Sequence, residues 1–102
     1  MSFRRVYRFK NFDEWLRRIS DPVTRARIVQ RLDRLINGHQ GSGRYLGYGV
    51  SELKIDFGPG YRIYYSTAGS DWLIFLTGGD KSTQWRDITQ AMMLNKQWQN
   101  RN

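Results

Sequence analysis

The stretch from Gly49 to Tyr65 reads G-V-S-E-L-K-I-D-F-G-P-G-Y-R-I-Y-Y and decides the fold. Apolar and polar side chains alternate on both sides of a turn at Gly58-Pro59-Gly60, and this alternation predicts a β-hairpin. The apolar set, which is predicted to face the core, is Leu53, Ile55, Phe57, Tyr61, Ile63 and Tyr65. The polar set, on the opposite face, is Glu52, Lys54, Asp56, Arg62, Tyr64 and Ser66. One face of the hairpin is therefore predicted to be buried and the other to carry chemical groups.

The polar face of this hairpin is predicted to place two cations beside a phenol. If a three-residue turn sets the pairing, Asp56 faces Arg62 and Lys54 faces Tyr64. A bulge in the turn would change this register. In this register Asp56 and Arg62 can form a cross-strand ion pair, which gives Arg62 a purely structural role.

Size and charge restrict the possible functions. A chain of 102 residues with 39% hydrophobic content is predicted to form a single domain over residues 1–102. Seventeen Lys and Arg residues against nine Asp and Glu give a net charge of +8, which favours nucleic acid or an acidic protein as the partner. Residues 1–50 hold eleven cations and four anions, a net charge of +7, whereas residues 51–102 hold six and five, a net charge of +1.

The use of cysteine, histidine and apolar residues excludes several kinds of site. The absence of cysteine excludes disulfides and thiolate metal sites, and the single histidine, His39, leaves no histidine cluster. We therefore predict no metal and no cofactor. The N-terminal residues lack an apolar signal core, and the longest strongly apolar run, Trp72 to Leu76, is too short to span a bilayer. The sequence predicts a cytoplasmic protein without a membrane partner.

Periodicity in the first part of the chain predicts one strand and two helices. Phe3 to Phe9 alternates apolar and basic residues, which predicts a strand with one buried and one exposed face. Asn11 or Asp13 is expected to cap a helix that ends at Ile19. A second helix is expected from Pro22 to about Asn37, with an apolar stripe on one side and four arginines on the others.

The rest of the chain predicts the remaining elements. Gly38 to Gly49 contains five glycines and is predicted to be a loop before the hairpin. Asp71 to Gly78 is expected to form a strand that is buried on both faces. A charged turn at Gly79 to Lys81 follows, and Ser82 or Thr83 is expected to cap a final helix. The predicted order is β-α-α-β-β-β-α.

Five segments distributed over nearly the whole chain carry a family resemblance. They are F-D-E-W-L at Phe12 to Leu16, R-A-R-I at Arg25 to Ile28, G-V-S-E-L-K-I at Gly49 to Ile55, G-P-G-Y-R at Gly58 to Arg62 and G-G-D-K-S-T-Q at Gly78 to Gln84. Together they resemble the RelE/ParE superfamily of bacterial type II toxins, and within it the HigB-like addiction-module killer proteins.

The resemblance implies both a fold and an activity. The implied fold is α+β and RelE-like, with a small curved antiparallel sheet, two N-terminal helices and one C-terminal helix. The implied activity is that of a toxin that acts as a ribosome-dependent mRNA interferase, an endoribonuclease that inhibits translation. The implied partners are the ribosome, messenger RNA and a cognate antitoxin of helix-turn-helix type. Cleavage through the ribose 2′-hydroxyl needs no metal.

The resemblance also implies which residues act. Arg62 matches the arginine after the Gly-Tyr turn, and Lys81 matches the basic residue that follows the last strand. Both are expected to bind phosphate and stabilise the transition state. Lys54 matches a basic position on the first hairpin strand and is expected to act as an electrostatic contributor or as the base. A lysine base needs a pKa well below the usual value of about 10.4. Gln84 and Arg86 are expected to join these residues in contacting RNA.

Two departures from the family pattern leave other functions open. Glu52 stands where RelE itself has a lysine, and the last helix begins without a tyrosine or histidine as proton donor. Tyr64 is expected to replace that donor, or else to be a tyrosine that packs at the edge of the sheet. The alternatives are a non-enzymatic ParE-type poison of DNA gyrase and a degenerate family member that binds its antitoxin without cleaving RNA.

Overall fold

A five-stranded sheet lies between two layers of helices in the computed structural model, which describes residues 2–39, 41 and 43–101. In chain order the elements are β1 (Arg5–Arg8), α1 (Lys10–Arg18), α2 (Pro22–Ile36), β2 (Gly43–Gly47), β3 (Val50–Ile55), β4 (Tyr61–Ala68), β5 (Trp72–Asp80) and α3 (Gln84–Asn100). A short 3-10 helix at Lys81–Thr83 joins β5 to α3. The strands lie in the order β1-β5-β4-β3-β2. The expected α+β class is confirmed.

The sheet is mixed, so the expectation of a wholly antiparallel sheet is wrong. Strands β2 to β5 pair antiparallel, but β1 pairs in parallel with the first half of β5, from Arg5 opposite Trp72 to Arg8 opposite Phe75. All four residues of β1 are exposed, which also contradicts the predicted buried face of this strand. A parallel pair needs a crossover connection, and the elements between β1 and β5 provide it.

An additional strand lies in the segment that was predicted to be a glycine-rich loop. Residues Gly43–Gly47 form β2 and pair antiparallel with β3 at the edge of the sheet. The observed order is therefore β-α-α-β-β-β-β-α. Glycine has a low strand propensity, so the composition of this segment predicts a loop. The segment is a strand because its backbone pairs with β3.

Helix α1 begins without a side-chain cap. Its N-cap position is Phe9, whose backbone N–H donates to the carbonyl of Phe75 in the sheet. The helix starts at Lys10, so Asn11 and Asp13, the predicted caps, lie within its first turn. The chain therefore passes directly from strand pairing into the helix.

An aspartate precedes α2, and another precedes the 3-10 helix that leads into α3. Helix α2 begins at Pro22 as predicted, and the Asp21 carboxylate accepts a hydrogen bond of 2.9 Å from the backbone N–H of Thr24. The hydrogen bonds from Thr24 lower the pKa of Asp21. Asp80 accepts a hydrogen bond of 2.8 Å from the N–H of Ser82 and caps the 3-10 helix. Thr83 occupies the N-cap position of α3, as predicted, but its side chain makes no capping hydrogen bond there. None of the helices in the described part of the chain is long and apolar enough to cross a membrane.

Two apolar clusters stabilise the two faces of the sheet. The cluster under α1 and α2 contains Phe12, Trp15, Leu16, Ile28, Leu32, Leu35, Leu53, Ile55, Ile63, Tyr65, Leu73 and Phe75. The cluster under α3 contains Val50, Tyr64, Ile74, Leu76, Ala91, Leu94 and Trp98. Helix α3 therefore covers much of the sheet face on which the hairpin's polar side chains were predicted to stand.

Two consecutive glycines in β5 allow helices to approach the sheet from both sides. A Cβ atom at Gly78 would overlap the ring of Trp15 in α1, and one at Gly79 would overlap the carboxylate of Asp87 in α3. Both helices therefore depend on the absence of a side chain at these positions.

Replacing Gly78 with alanine is expected to lower the free energy of unfolding by about 1–3 kcal/mol, because the new methyl group must displace a packed indole. Urea denaturation measures this loss. Val23→Ala, at an exposed position on α2, is the control and is expected to change stability by less than about 0.5 kcal/mol. A Gly78→Ala protein as stable as the wild type would mean that Trp15 can move aside without cost.

Candidate nucleic-acid interface

Two rows of residues across β3, β4 and β5 lie on the face of the sheet against which α3 packs. They are Lys54–Arg62–Gly79 and Glu52–Tyr64–Thr77. Neighbouring strands lie about 4.8 Å apart, so the members of each row are adjacent. The predicted register, with Asp56 opposite Arg62 and Lys54 opposite Tyr64, is wrong. The turn has five residues, 56–60, and not three, so the pairing shifts by two positions.

Glu52 lies at the centre of a buried polar network. Its side chain is 3% exposed, and its carboxylate accepts hydrogen bonds from Arg62 Nη1 at 3.0 Å and Gln84 Nε2 at 3.1 Å. Arg44 Nη2, from β2, lies 3.4 Å from the same carboxylate. The Arg62 side chain is only 9% exposed, so the pair with Glu52 is buried. The partner of Arg62 is therefore Glu52 and not Asp56.

Three further cations of the predicted site are exposed. Lys54 is half exposed, and its Nζ lies 3.5 Å from Asp56 Oδ1. Lys81 is exposed beside the β3–β4 turn, where a Cβ atom on Gly60 would lie 3.8 Å from its own Cβ. Arg86 is exposed on the first turn of α3, on the side that faces α1 and β5. Lys54 and Lys81 therefore border the hairpin, and Arg86 lies apart from them.

Tyr64, the predicted proton donor, is fully buried beneath α3. Among the described residues, neither its hydroxyl nor Arg62 Nε has a hydrogen-bond partner. Burial raises the pKa of Tyr64 above its ordinary value, and the nearby carboxylates of Glu52 and Asp87 raise it further. The phenol therefore keeps its proton at neutral pH, but in this conformation α3 separates it from solvent.

Polar contacts hold the beginning of α3 on the sheet. Gln84 binds Glu52, and Gln90 Oε1 accepts a hydrogen bond of 3.2 Å from Thr77 Oγ1. Between them, Asp87 is 4% exposed and packs against Gly79. The first two turns of α3 therefore form a cover over the two rows.

The six predicted site residues divide by exposure. Lys54, Lys81 and Arg86 are exposed, Gln84 is partly buried, and Arg62 and Tyr64 are buried. The register brings Lys54 and Arg62 together, and Gln84 is joined to Arg62 through Glu52. Over the described part of the chain, no three histidine or carboxylate side chains converge as they would to hold a metal ion.

The role of Glu52 was missed from the sequence, which showed it only as a departure from a family pattern. The sequence does place Glu52 on the same face as Lys54 and Asp56, because every second residue of a strand points to the same side. Only the correct register makes Glu52 the carboxylate close enough to neutralise Arg62.

Comparison with known proteins gives a relative but no activity. No model of a known protein family matches the chain. The chain is 42% identical over 83 residues to an uncharacterized protein of Haemophilus influenzae, and the match covers 81% of this chain and 84% of that protein. The function must therefore be argued from the site.

Replacing Glu52 with alanine is expected to lower the free energy of unfolding by about 3–5 kcal/mol, because Arg62 would remain as a buried charge without a partner. Urea denaturation provides the measurement. Asp71→Ala, which removes an exposed ion pair with Arg5, is the control and is expected to cost less than about 1 kcal/mol.

The double variant Glu52→Met/Arg62→Leu removes both charges but keeps two buried side chains at these positions. It is expected to regain most of the stability, because apolar residues of similar volume can replace a buried ion pair without loss. If Glu52→Ala lowers the free energy of unfolding no more than Asp71→Ala does, the ion pair of Glu52 with Arg62 is not shielded from water.

The stability of the protein is expected to fall as the pH rises above about 10, the ordinary pKa of a tyrosine in an unfolded chain. Tyr64 keeps its proton in the folded state, whereas the unfolded chain loses it, so the unfolded state binds fewer protons. The contribution of Tyr64 is complete below this pH and decreases by up to about 1.4 kcal/mol per pH unit above it.

Denaturant unfolding between neutral and alkaline pH tests this contribution. Tyr64→Phe is expected to reduce the decrease in stability with pH, whereas Tyr48→Phe, at an exposed ring, is expected to leave it unchanged. Equal slopes in the two variants would mean that the pKa of Tyr64 is not raised.

Proposed function

We propose that this chain, which belongs to the same family as the uncharacterized Haemophilus influenzae protein, is the toxin of a type II toxin–antitoxin pair and acts as an mRNA interferase. It cuts messenger RNA on the ribosome without a metal or cofactor, and a cognate antitoxin of helix-turn-helix type neutralises it. A RelE-like fold and a cytoplasmic location belong to the same proposal. The observation that carries it is the adjacency of Lys54 and Arg62 across β3 and β4, with exposed Lys81 beside the turn of the same hairpin.

The proposed reaction uses the ribose 2′-hydroxyl as the nucleophile. Its oxygen attacks the adjacent phosphorus, the bond between phosphorus and the 5′-oxygen breaks in line with this attack, the proton of the 2′-hydroxyl passes to Lys54 or to water, and one proton is delivered to the 5′-oxygen. Negative charge accumulates on the phosphate oxygens in the transition state, so positioned cations lower the barrier. Lys54 and Lys81 are exposed and contact the phosphate directly. Arg62 adds a fixed positive charge, and its Nε is free among the described residues to donate a hydrogen bond.

Delivery of a proton by Tyr64 requires the beginning of α3 to move. The hydroxyl of Tyr64 lies beneath the helix, and the hydrogen bond from Gln84 to Glu52 holds the first turn in place. A phosphate near Arg62 competes with Glu52 for the same guanidinium. Substrate binding and opening of the α3 cover are therefore coupled in this mechanism, and Gln84 and Arg86 on that turn contact the RNA.

A second candidate function is favoured by the burial of Arg62 and Tyr64. Two of the four proposed catalytic side chains are covered in this conformation, which suits a protein that acts by binding. Such a protein is a ParE-type poison of DNA gyrase or a family member that binds its antitoxin without cleaving RNA. The first produces DNA damage with intact messenger RNA, and the second has no effect on growth.

Mapping of new 5′ ends on messenger RNA, after induction in cells that lack the antitoxin, tests the proposal. Lys81→Ala is expected to reduce cleavage by about 100-fold or more, the usual effect of removing one transition-state donor. Because Lys81 is exposed, this change is expected to leave folding intact. Lys10→Ala, at another exposed lysine, is the matched control and is expected to cleave like the wild type.

Arg62 needs a control of its own, because its removal takes the nearest cation away from the buried carboxylate of Glu52, which then keeps, among the described residues, only Gln84 and the longer contact with Arg44. Arg62→Ala and Arg62→Lys are therefore compared in the same assay, with thermal unfolding of each purified protein. Unchanged cleavage by folded Arg62→Ala and Lys81→Ala proteins would mean that the site is assigned wrongly. Arrested growth with intact messenger RNA would favour the gyrase poison.

A further inference from the structure

An apolar groove of about 530 Å³ lies on the outer side of α3, beside the turn that joins β2 to β3. We call it the α3 outer groove, and it is lined by Tyr48, Thr89, Met92, Met93, Lys96 and Gln99. The Tyr48 and Met93 residues are 84% and 60% exposed. Trp85, four residues before Thr89 and thus on the same side of the helix, is 86% exposed and extends the apolar surface.

The backbone that carries the Tyr48 ring is anchored to α3. Tyr48 has a φ of 54°, in the left-handed region that non-glycine residues rarely adopt. Its carbonyl accepts a hydrogen bond of 2.9 Å from Asn95 Nδ2, and Asn95 is 3% exposed. The next N–H, from Gly49, donates to the hydroxyl of Tyr45 at 3.0 Å. The backbone of this wall is therefore in place before any partner arrives, so binding has to order only the side chain.

The charges around the groove indicate the chemistry of the partner. Lys96 lines this groove and also the neighbouring one along α3, which Arg101 borders. The one acidic residue of α3, Asp87, is buried against the sheet, and no carboxylate lines either groove among the described residues. A second copy of this chain is unfavourable because both copies carry a net charge of +8. The surface therefore suits an acidic partner with apolar anchors.

The methionines favour a protein over a nucleic acid as this partner. Proteins hold nucleic acids chiefly through the phosphates, with several cations at once. Among the residues that line this groove, Lys96 is the one cation. Met92 and Met93 are flexible apolar side chains of the kind that line grooves for amphipathic helices.

We propose that the α3 outer groove binds an amphipathic helix of a partner protein. Its apolar side chains lie between Tyr48 and Met93, and its acidic side chains lie against Lys96. This inference goes beyond the proposed function, because it requires neither RNA cleavage nor the Lys54–Arg62 row.

The probe for this surface is a synthetic, fluorescein-labelled helical peptide with leucine and phenylalanine at i, i+3, i+4 and i+7 and glutamate on its other faces. A scrambled peptide of the same composition is the control. The patterned peptide is expected to bind the full chain more tightly than the scrambled one does. It is also expected to shift the backbone amide signals of residues 89–99.

Two variants test the walls of the groove. Tyr48→Gly removes the ring and suits the left-handed backbone, and Met93→Glu places a charge on the apolar surface. Each is expected to weaken peptide binding by roughly tenfold or more, as loss of an interface anchor does. Val29→Glu, at an exposed apolar residue on α2, and Lys81→Ala are expected to bind the peptide like the wild type.

Four results would overturn the inference. Equal binding of the scrambled peptide, or amide shifts confined to the arginines of α2, would show that charge alone attracts the peptide. A dimer in sedimentation that Met93→Glu dissociates would assign the groove to a second copy of the chain. If single-stranded polyuridylate displaces the peptide, and Tyr48→Gly abolishes this displacement, the groove would be assigned to RNA.

Discussion

The carboxylate of Glu52 joins four elements of this fold, because it accepts hydrogen bonds from β2, β4 and α3 while it stands on β3. Both Glu52 and Arg62 are almost fully buried, and Glu52 is the carboxylate with which Arg62 pairs, so the loss of Glu52 would leave the charge of Arg62 uncompensated. Contacts of this kind specify an arrangement more than they stabilise it. Here the arrangement is the register of the hairpin and the position at which α3 begins.

Helix α3 has two faces with different consequences. Its inner face buries Tyr64 and, through Gln84, fixes the beginning of the helix above the Lys54–Arg62 row. Its outer face, together with Tyr48, forms an apolar surface with a cationic border. A partner bound to the outer face would therefore contact α3 without touching Lys54, Arg62 or Lys81. The proposed binding surface and the proposed catalytic row lie on opposite sides of one helix.

The strongly periodic elements could be predicted from the sequence, and the relations between elements could not. The apolar stripe of α2 and the alternation in β3 and β4 are local patterns, and each element lies where its pattern predicted. Strand β2 was hidden by its glycines, and the parallel partner of β1 depends on tertiary packing that one sequence does not encode locally. The sequence named the residues of the candidate site but not their neighbours. The length of the 56–60 turn decides that Arg62 faces Lys54 and pairs with buried Glu52.

The parallel pairing of β1 with β5 also sets the order in which the chain can fold. Sixty-seven positions separate Arg5 from its partner Trp72, and contacts of such long range slow folding. During synthesis, α1 and α2 emerge before the strands against which their apolar sides pack. A chain stalled before β5 therefore exposes those sides to chaperones, proteases and aggregation. The pairing of β1 and the packing of α1 and α2 are therefore complete only after β5 has been synthesised.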